Sequence, residues 1–189
     1  MAFVVIYDAC VLFPAPLRDL LVRVARTGVV RAHWSDRIIE ECFRAVLRER
    51  PDLVPENLAR TKDRMNIALP DANVTGHEPL IESFTLPDPD DCHVLAAAVR
   101  IGAQAIVTFN LDDFPATALE PLGLEAKHPD DFMVEALDLA PGAIAAAINE
   151  QAATLRNPPK TVAELLDTLQ RQGLPLAVAR LRDAFGSRP

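Results

Sequence analysis

The chain has 189 residues, half of them apolar, with 19 basic against 27 acidic side chains and a net charge of −8. That length holds one well-buried core and leaves too little chain for two full-size domains, so one domain with an appendage is expected. The charge argues against unspecific nucleic-acid binding, which needs clustered Lys and Arg, and no run approaches the roughly 18 to 20 uninterrupted apolar residues of a membrane helix.

Residues 3–7, Phe-Val-Val-Ile-Tyr, are a continuous apolar, β-branched run without alternation, as in a strand buried on both faces, and Asp8 stands at its C-terminal end. After Pro14 and Pro16, Leu17, Leu20, Leu21, Val24 and Ala25 recur at helical spacing up to a stop at Gly28. Val29 and Val30 open a second predicted strand running toward His33. Ser35 or Asp36 caps a predicted helix with apolar positions Ile38, Ile39, Cys42, Val46 and Leu47, ended by Pro51, and another helix follows Pro55. Residues 70–87 are turn-rich, and Ile81 to Leu86 reads as a strand before Pro87. In LPDPDDCHVLAAAVRIG, Asp88 is the expected N-cap, Pro89 the first helical residue, and Val94, Leu95, Ala98 and Ile101 an apolar face closed by Gly102. Gln104 to Thr108 and Leu122 to Ala126 complete the predicted strands. Strands alternating with helices imply βαβ units and a mostly parallel sheet. From Pro129 onward the strand signals stop, and helices are predicted at residues 130–138, 142–156, 161–172 and 176–185, with Asn157-Pro158-Pro159 the clearest linker.

The N-terminal run lacks a basic leader, carries Asp8 inside it and offers no small-residue cleavage site, so it does not read as a secretory signal. Cys10, Cys42 and Cys92 are odd in number and widely spaced, fitting neither a disulfide framework nor C-x-x-C pairs. A soluble protein of the reducing cytoplasm, away from membranes, is expected. The four histidines form no H-x-x-x-H or H-E-x-x-H group, which speaks against a zinc enzyme and leaves any metal to oxygen ligands. No G-x-x-x-x-G-K-[ST] or G-x-G-x-x-G loop is present to cradle a nucleotide.

In an open parallel sheet, ligands bind beyond the carboxyl ends of the strands, where strand order reverses. Asp8 ends one apolar run, Asn110 and Asp113 follow another, and Asp90 and Asp91 lie in the first turn of a helix feeding that second strand. Carboxylates with no Lys or Arg between them repel, and a divalent cation relieves this best. Hard oxygen ligands select Mg2+ or Mn2+, whose chemistry of activating water and neutralising phosphoryl charge suits phosphodiester hydrolysis. The plain alternative is that acids at positions 88, 90 and 91 simply cap a helix. His128-Pro129-Asp130-Asp131-Phe132 repeats the pattern with nothing to mark it as chemical. Charge is also segregated: residues 18–64 carry 11 basic and 8 acidic side chains, and residues 65–155 carry 2 and 15. A polyanion grip beside a metal cluster would look so, and so would solvated helix faces.

Order and spacing together resemble the PIN-domain nucleases, in particular the VapC-like toxins, over residues 3 to about 127. The strand ending in Asp8 with Ala9-Cys10-Val11-Leu12 looks like the family's opening acid; Ser35 to Leu47 is similar to its second motif, with Glu41; DCHVLAAAV matches its third, with Asp91; and IVTFNLDDF resembles its fourth. The resemblance implies a three-layer α/β/α fold with a parallel sheet of about five strands in residues 1–128, and residues 129–189 look like the helical C-terminal extension of one subgroup. It implies Asp8, Glu41, Asp91 and Asp113 as the acidic cluster, supported by Thr108 and Asn110. Asn110 departs from the commoner Asp, leaving open whether one or two ions bind, and Glu40, Asp90 and Asp112 stand one residue from three of the assigned acids. It further implies a homodimer, a cognate antitoxin and cleavage of RNA of the tRNA or rRNA class.

On this reading Asp8, Asp91 and Asp113 hold Mg2+ or Mn2+, Glu41 is a ligand or orients water, and Arg44, Arg48, Arg60, Lys62 and Arg64 contact phosphates. Two rivals are a housekeeping RNA-processing nuclease with the same site and a PIN-like scaffold that binds without catalysis, for which only Asn110 speaks.

Overall fold

The structure, a computed structural model, describes residues 3–186. The N-terminal apolar run forms β1 (Phe3–Tyr7), with Val5, Ile6 and Tyr7 fully buried. After Asp8 the chain passes through the short α1 (Ala9–Leu12) into α2 (Ala15–Arg26), and reverses at Gly28, whose φ of +81° suits glycine. β2 (Val30–Ser35) leads into α3 (Asp36–Glu49), where the Ser35 hydroxyl accepts from Ile38 N at 3.2 Å. α4 (Pro55–Ala68) and the two-residue β3 (Asn73–Val74) follow, then α5 (Cys92–Arg100), β4 (Ala105–Val107), α6 (Ala116–Leu119) and β5 (Glu125–Lys127).

The sheet has the order β3-β2-β1-β4-β5 with every pair parallel. Parallel neighbours require crossovers, which place the helices over the sheet and give the three-layer α/β/α arrangement. α5 packs across β1, β2 and β4, whereas α2 packs on β2 with α4, α8 and α9 against it. Helices α8 and α9 belong to the C-terminal series α7 (Pro129–Leu139), α8 (Pro141–Thr154), α9 (Val162–Arg171) and α10 (Pro175–Gly186). No helix among the described residues is long and apolar enough to cross a membrane.

Several elements differ from the sequence reading, and the strand beside β2 is Asn73–Val74, in the segment read as turn-rich. Residues Glu78–Ser83 form a 3-10 helix instead of a strand over Ile81 to Leu86. Ile81 and Phe84 face the core three residues apart, the spacing at which 3-10 side chains stack, and Pro79 suits the first turn. The helix expected from Pro89 begins as a 3-10 turn, Pro89–Asp91, with the α-helix proper starting at Cys92. The last strand lies later than Leu122 to Ala126, because the chain turns at Gly123 with φ +69° before β5 can begin.

The repeated Pro-Asp-Asp motif has a structural job at its second occurrence. Asp130 is buried, and its carboxylate accepts from Leu176 N at 2.9 Å and Ala177 N at 2.8 Å, capping α10 from α7. Asp130→Ala leaves both amides without this partner and should lower unfolding free energy by about 2 kcal/mol, measurable by urea denaturation.

Candidate active site

Strand order reverses between β1 and β4, so the crevice beyond their carboxyl ends is the place where this topology leaves room for a ligand. Asp8 leaves β1 there and Thr108 leaves β4. Asp8 is 5% exposed and its carboxylate is held on both oxygens. Oδ1 accepts from Ala9 N at 2.6 Å, and Oδ2 accepts from the Thr108 hydroxyl at 2.7 Å and from Cys10 Sγ at 3.1 Å. Thr108 Oγ1 in turn accepts from Asn110 N at 3.0 Å. The cavity in front of these residues, about 350 Å3, is lined by Asp8, Cys10, Phe13, Glu41, Asp91 and Asn110 among others, with no lysine or arginine in its lining.

Glu41 reaches the cavity from α3 together with Ala45 and Glu49, one and two turns further on. Its neighbour Glu40 is exposed. Burial raises the Glu41 pKa, but His93 and Arg37 outweigh it and hold the carboxyl below its ordinary value. His93 Nε2 lies 3.0 Å from the carboxylate, and Arg37 Nε donates to it at 3.2 Å. A carboxylate only accepts, so His93 carries its proton on Nε2; the Nδ1 atom is buried without a partner. Asp91 precedes α5, makes no capping bond with its side chain, and faces the same cavity. Burial, then the charges of Asp8, Asp88, Asp113 and Glu41, pushes its carboxyl up to about 7.

The other expected residues fall into three groups. Asp113, in the 3-10 turn Leu111–Asp113, adds to the field on Asp91 without lining the cavity, whereas Asn110 lines it. Asp90 and Asp112 are exposed. Arg44, Arg48, Arg60 and Arg64 are exposed outside the cavity, and Lys62 is tied to Asp36 at 2.7 Å. Sequence reasoning passed over Cys10, Arg37 and His93. His93 stands among Val94, Leu95 and Ala96 in an apolar helix, and nothing in the sequence places its ring opposite a glutamate 52 positions earlier.

The donor set is carboxylate and amide oxygen. Among the described residues no three His, Cys, Asp or Glu side chains already form a closed ligand group. An open cluster with one carboxyl held near neutral pKa by burial and by its like-charged neighbours suits a hard divalent cation that keeps part of its hydration and takes one or two carboxylates. It does not suit a four-ligand zinc cage. The three cysteines are free thiols, and burial, reinforced by Asp8, pushes that of Cys10 up to about 12.

Residues 4–112 match the PIN domain family, and residues 129–183 match the VapC50 C-terminal domain. A protein of Mycobacterium tuberculosis (strain ATCC 25618 / H37Rv), described as "Putative ribonuclease VapC50", is 46% identical over 97 residues, 51% of this chain and 57% of that protein. The match therefore spans little more than half the length of the curated relative. No solved structure matches the chain.

Proposed function

We propose that this chain, which belongs to the PIN-domain family, is a divalent-metal-dependent endoribonuclease and the toxin of a type II pair of the VapBC kind. The observation that carries this reading is the convergence of Asp8, Glu41 and Asp91 on one cavity without a basic side chain, at the switch point of the sheet. When bound, Mg2+ or Mn2+ supplies charge neutralisation at the phosphoryl group and lowers the pKa of water. Asp8, Asp91 and Asp113 are the residues assigned to hold it. Glu41, fixed by His93 and Arg37 and lining the cavity, is assigned to orient the attacking water. Thr108 keeps Asp8 in one rotamer, and the Asn110 amide faces the cavity where a phosphate oxygen would lie. The chemistry is assigned to residues 1–128, with 129–189 an appended helical unit. The word ribonuclease in the name of the Mycobacterium relative supports RNA as substrate, and the antitoxin partner rests on the resemblance to VapC-like toxins.

The deciding experiment incubates a panel of tRNA and ribosomal RNA with purified protein and Mg2+, Mn2+ or a chelator. Discrete cuts that need the metal support the reading; cleavage indifferent to the chelator overturns it. Arg37, Arg44 and Arg48 recur at positions i, i+7 and i+11 of α3, within about 40° of one another on an ideal helix and beside the Glu41 stripe. Replacing Arg44 and Arg48 together with alanine should reduce the slope of log affinity for RNA against log salt by about 2, with kcat retained. Filter binding across a salt series reads this.

A further inference from the structure

We propose that the C-terminal helical unit is a positioning element for the acidic crevice, acting through the turn at Gly173 on the ring of Phe109. α9 ends in a Schellman turn: Gly173 N donates to Gln170 O and Leu174 N to Leu169 O, both at 3.2 Å, with Gly173 at φ +96°. Besides that backbone requirement, Gly173 has a packing one. A Cβ on it would stand 2.8 Å from Phe109 Cε1, so the ring rests against the bare α-carbon. The same ring meets His128, the N-cap of α7, edge-on at a centroid distance of 5.2 Å.

Phe109 lies between two residues of the site. Thr108 donates to Asp8 Oδ2 at 2.7 Å, and Asn110 lines the cavity. The amide of Phe109 itself donates to Cys10 Sγ at 3.3 Å, and that sulfur donates to the same Asp8 oxygen at 3.1 Å. Every partner of Asp8 Oδ2 is thus linked to the segment that carries the ring. The seat is fixed in turn: Asp130 anchors α10, and α8 is joined to α2 by Arg23 to Glu150 at 2.9 Å and by Gln151 donating to Pro16 O at 2.8 Å. A close-packed contact of this kind transmits displacement instead of absorbing it. Moving Phe109 off Gly173 shifts Thr108 and Asn110 relative to the acids.

The catalytic half of the test rests on the nuclease reading, and hydrogen exchange is independent of it. The variants are Gly173→Ala, Phe109→Ala and Gly173→Ala combined with Phe109→Leu, each measured on the full chain below its melting temperature. Gly173→Ala and Phe109→Ala should speed exchange at the Phe109 and Asn110 amides. Both should lower kcat for metal-dependent cleavage by roughly 10²-fold, as expected for a misplacement on the order of 1 Å, with KM little changed. Phe109→Leu, which vacates the Cε1 position, should restore part of that loss in the Gly173→Ala background. A lower melting temperature with unchanged exchange at these two amides, or faster exchange with unchanged kcat, overturns the proposal. If the parent protein cleaves no RNA, the nuclease reading falls while the exchange data still decide the coupling.

Discussion

Asp8→Asn is expected to reduce RNA cleavage by roughly 10²-fold or more, as loss of a preorganised electrostatic group does, with the circular dichroism spectrum and melting temperature close to the parent's. The bonding around the side chain explains why fold and activity separate. The asparagine carbonyl still accepts from Ala9 N, and its amide nitrogen replaces the oxygen facing Thr108 and Cys10. The Thr108 hydroxyl both donates and accepts, so it can turn to receive that amide. Removing the charge also relieves Asp91, which Asp8 disfavours in its ionised form. A cation, by contrast, loses a formal negative charge at the residue nearest the ends of β1 and β4. Cleavage by Asp8→Asn equal to the parent's would remove the carboxylate from the chemistry, and loss of the native spectrum would make Asp8 a structural residue.

Much of the fold was legible because its signals are local. A continuous apolar run marks a doubly buried strand, and β1 follows from it; Ser35, Pro55 and Gly28 mark helix ends by their own backbone chemistry. Residues 78–83 misled because Ile81 and Phe84 satisfy the apolarity of a strand while their spacing of three belongs to a 3-10 turn. Within the site, adjacent acids were hard to separate by sequence. Glu40 and Glu41 are chemically alike, and helix phase alone turns one to solvent and the other to the cavity. The two Pro-Asp-Asp motifs are locally alike as well, yet Asp130 meets two amides of α10 and Asp91 meets other carboxylates. What was not legible is what comes from another element: His93 behind Glu41, and Gly173 against Phe109.

Asp91 should contribute stability to the metal-free protein that is lost as pH rises from the ordinary carboxylate range to about 7, and Asp91→Asn should remove that component. The folded-state pKa of Asp91, about 7, lies above its unfolded value. Between those values the folded chain keeps a proton that the unfolded chain has released, so the proton favours folding at the acid end and the contribution is lost as pH rises. Each pKa unit corresponds to about 1.36 kcal/mol, and the contact of the side chain with crevice water reduces the net effect to roughly 1–2 kcal/mol. His33 and His77, whose pKa values burial lowers, act with the opposite slope in an overlapping range, since the unfolded chain then binds the extra protons. Their contribution is common to parent and variant, so the difference between the two isolates Asp91. Glu41, held below its ordinary value, matters only at more acid pH. On going from about pH 5 to about pH 8 in chelator, the melting temperature should therefore fall further, or rise less, in the parent than in Asp91→Asn. Adding Mn2+ at the higher pH should restore the parent's loss more than the variant's, because the cation binds the ionised carboxylate and only the folded chain presents it. Parallel pH curves for the two proteins would mean that burial and the surrounding acids do not hold the proton of Asp91. A manganese response equal in both would mean that Asp91 is no part of the cation's site.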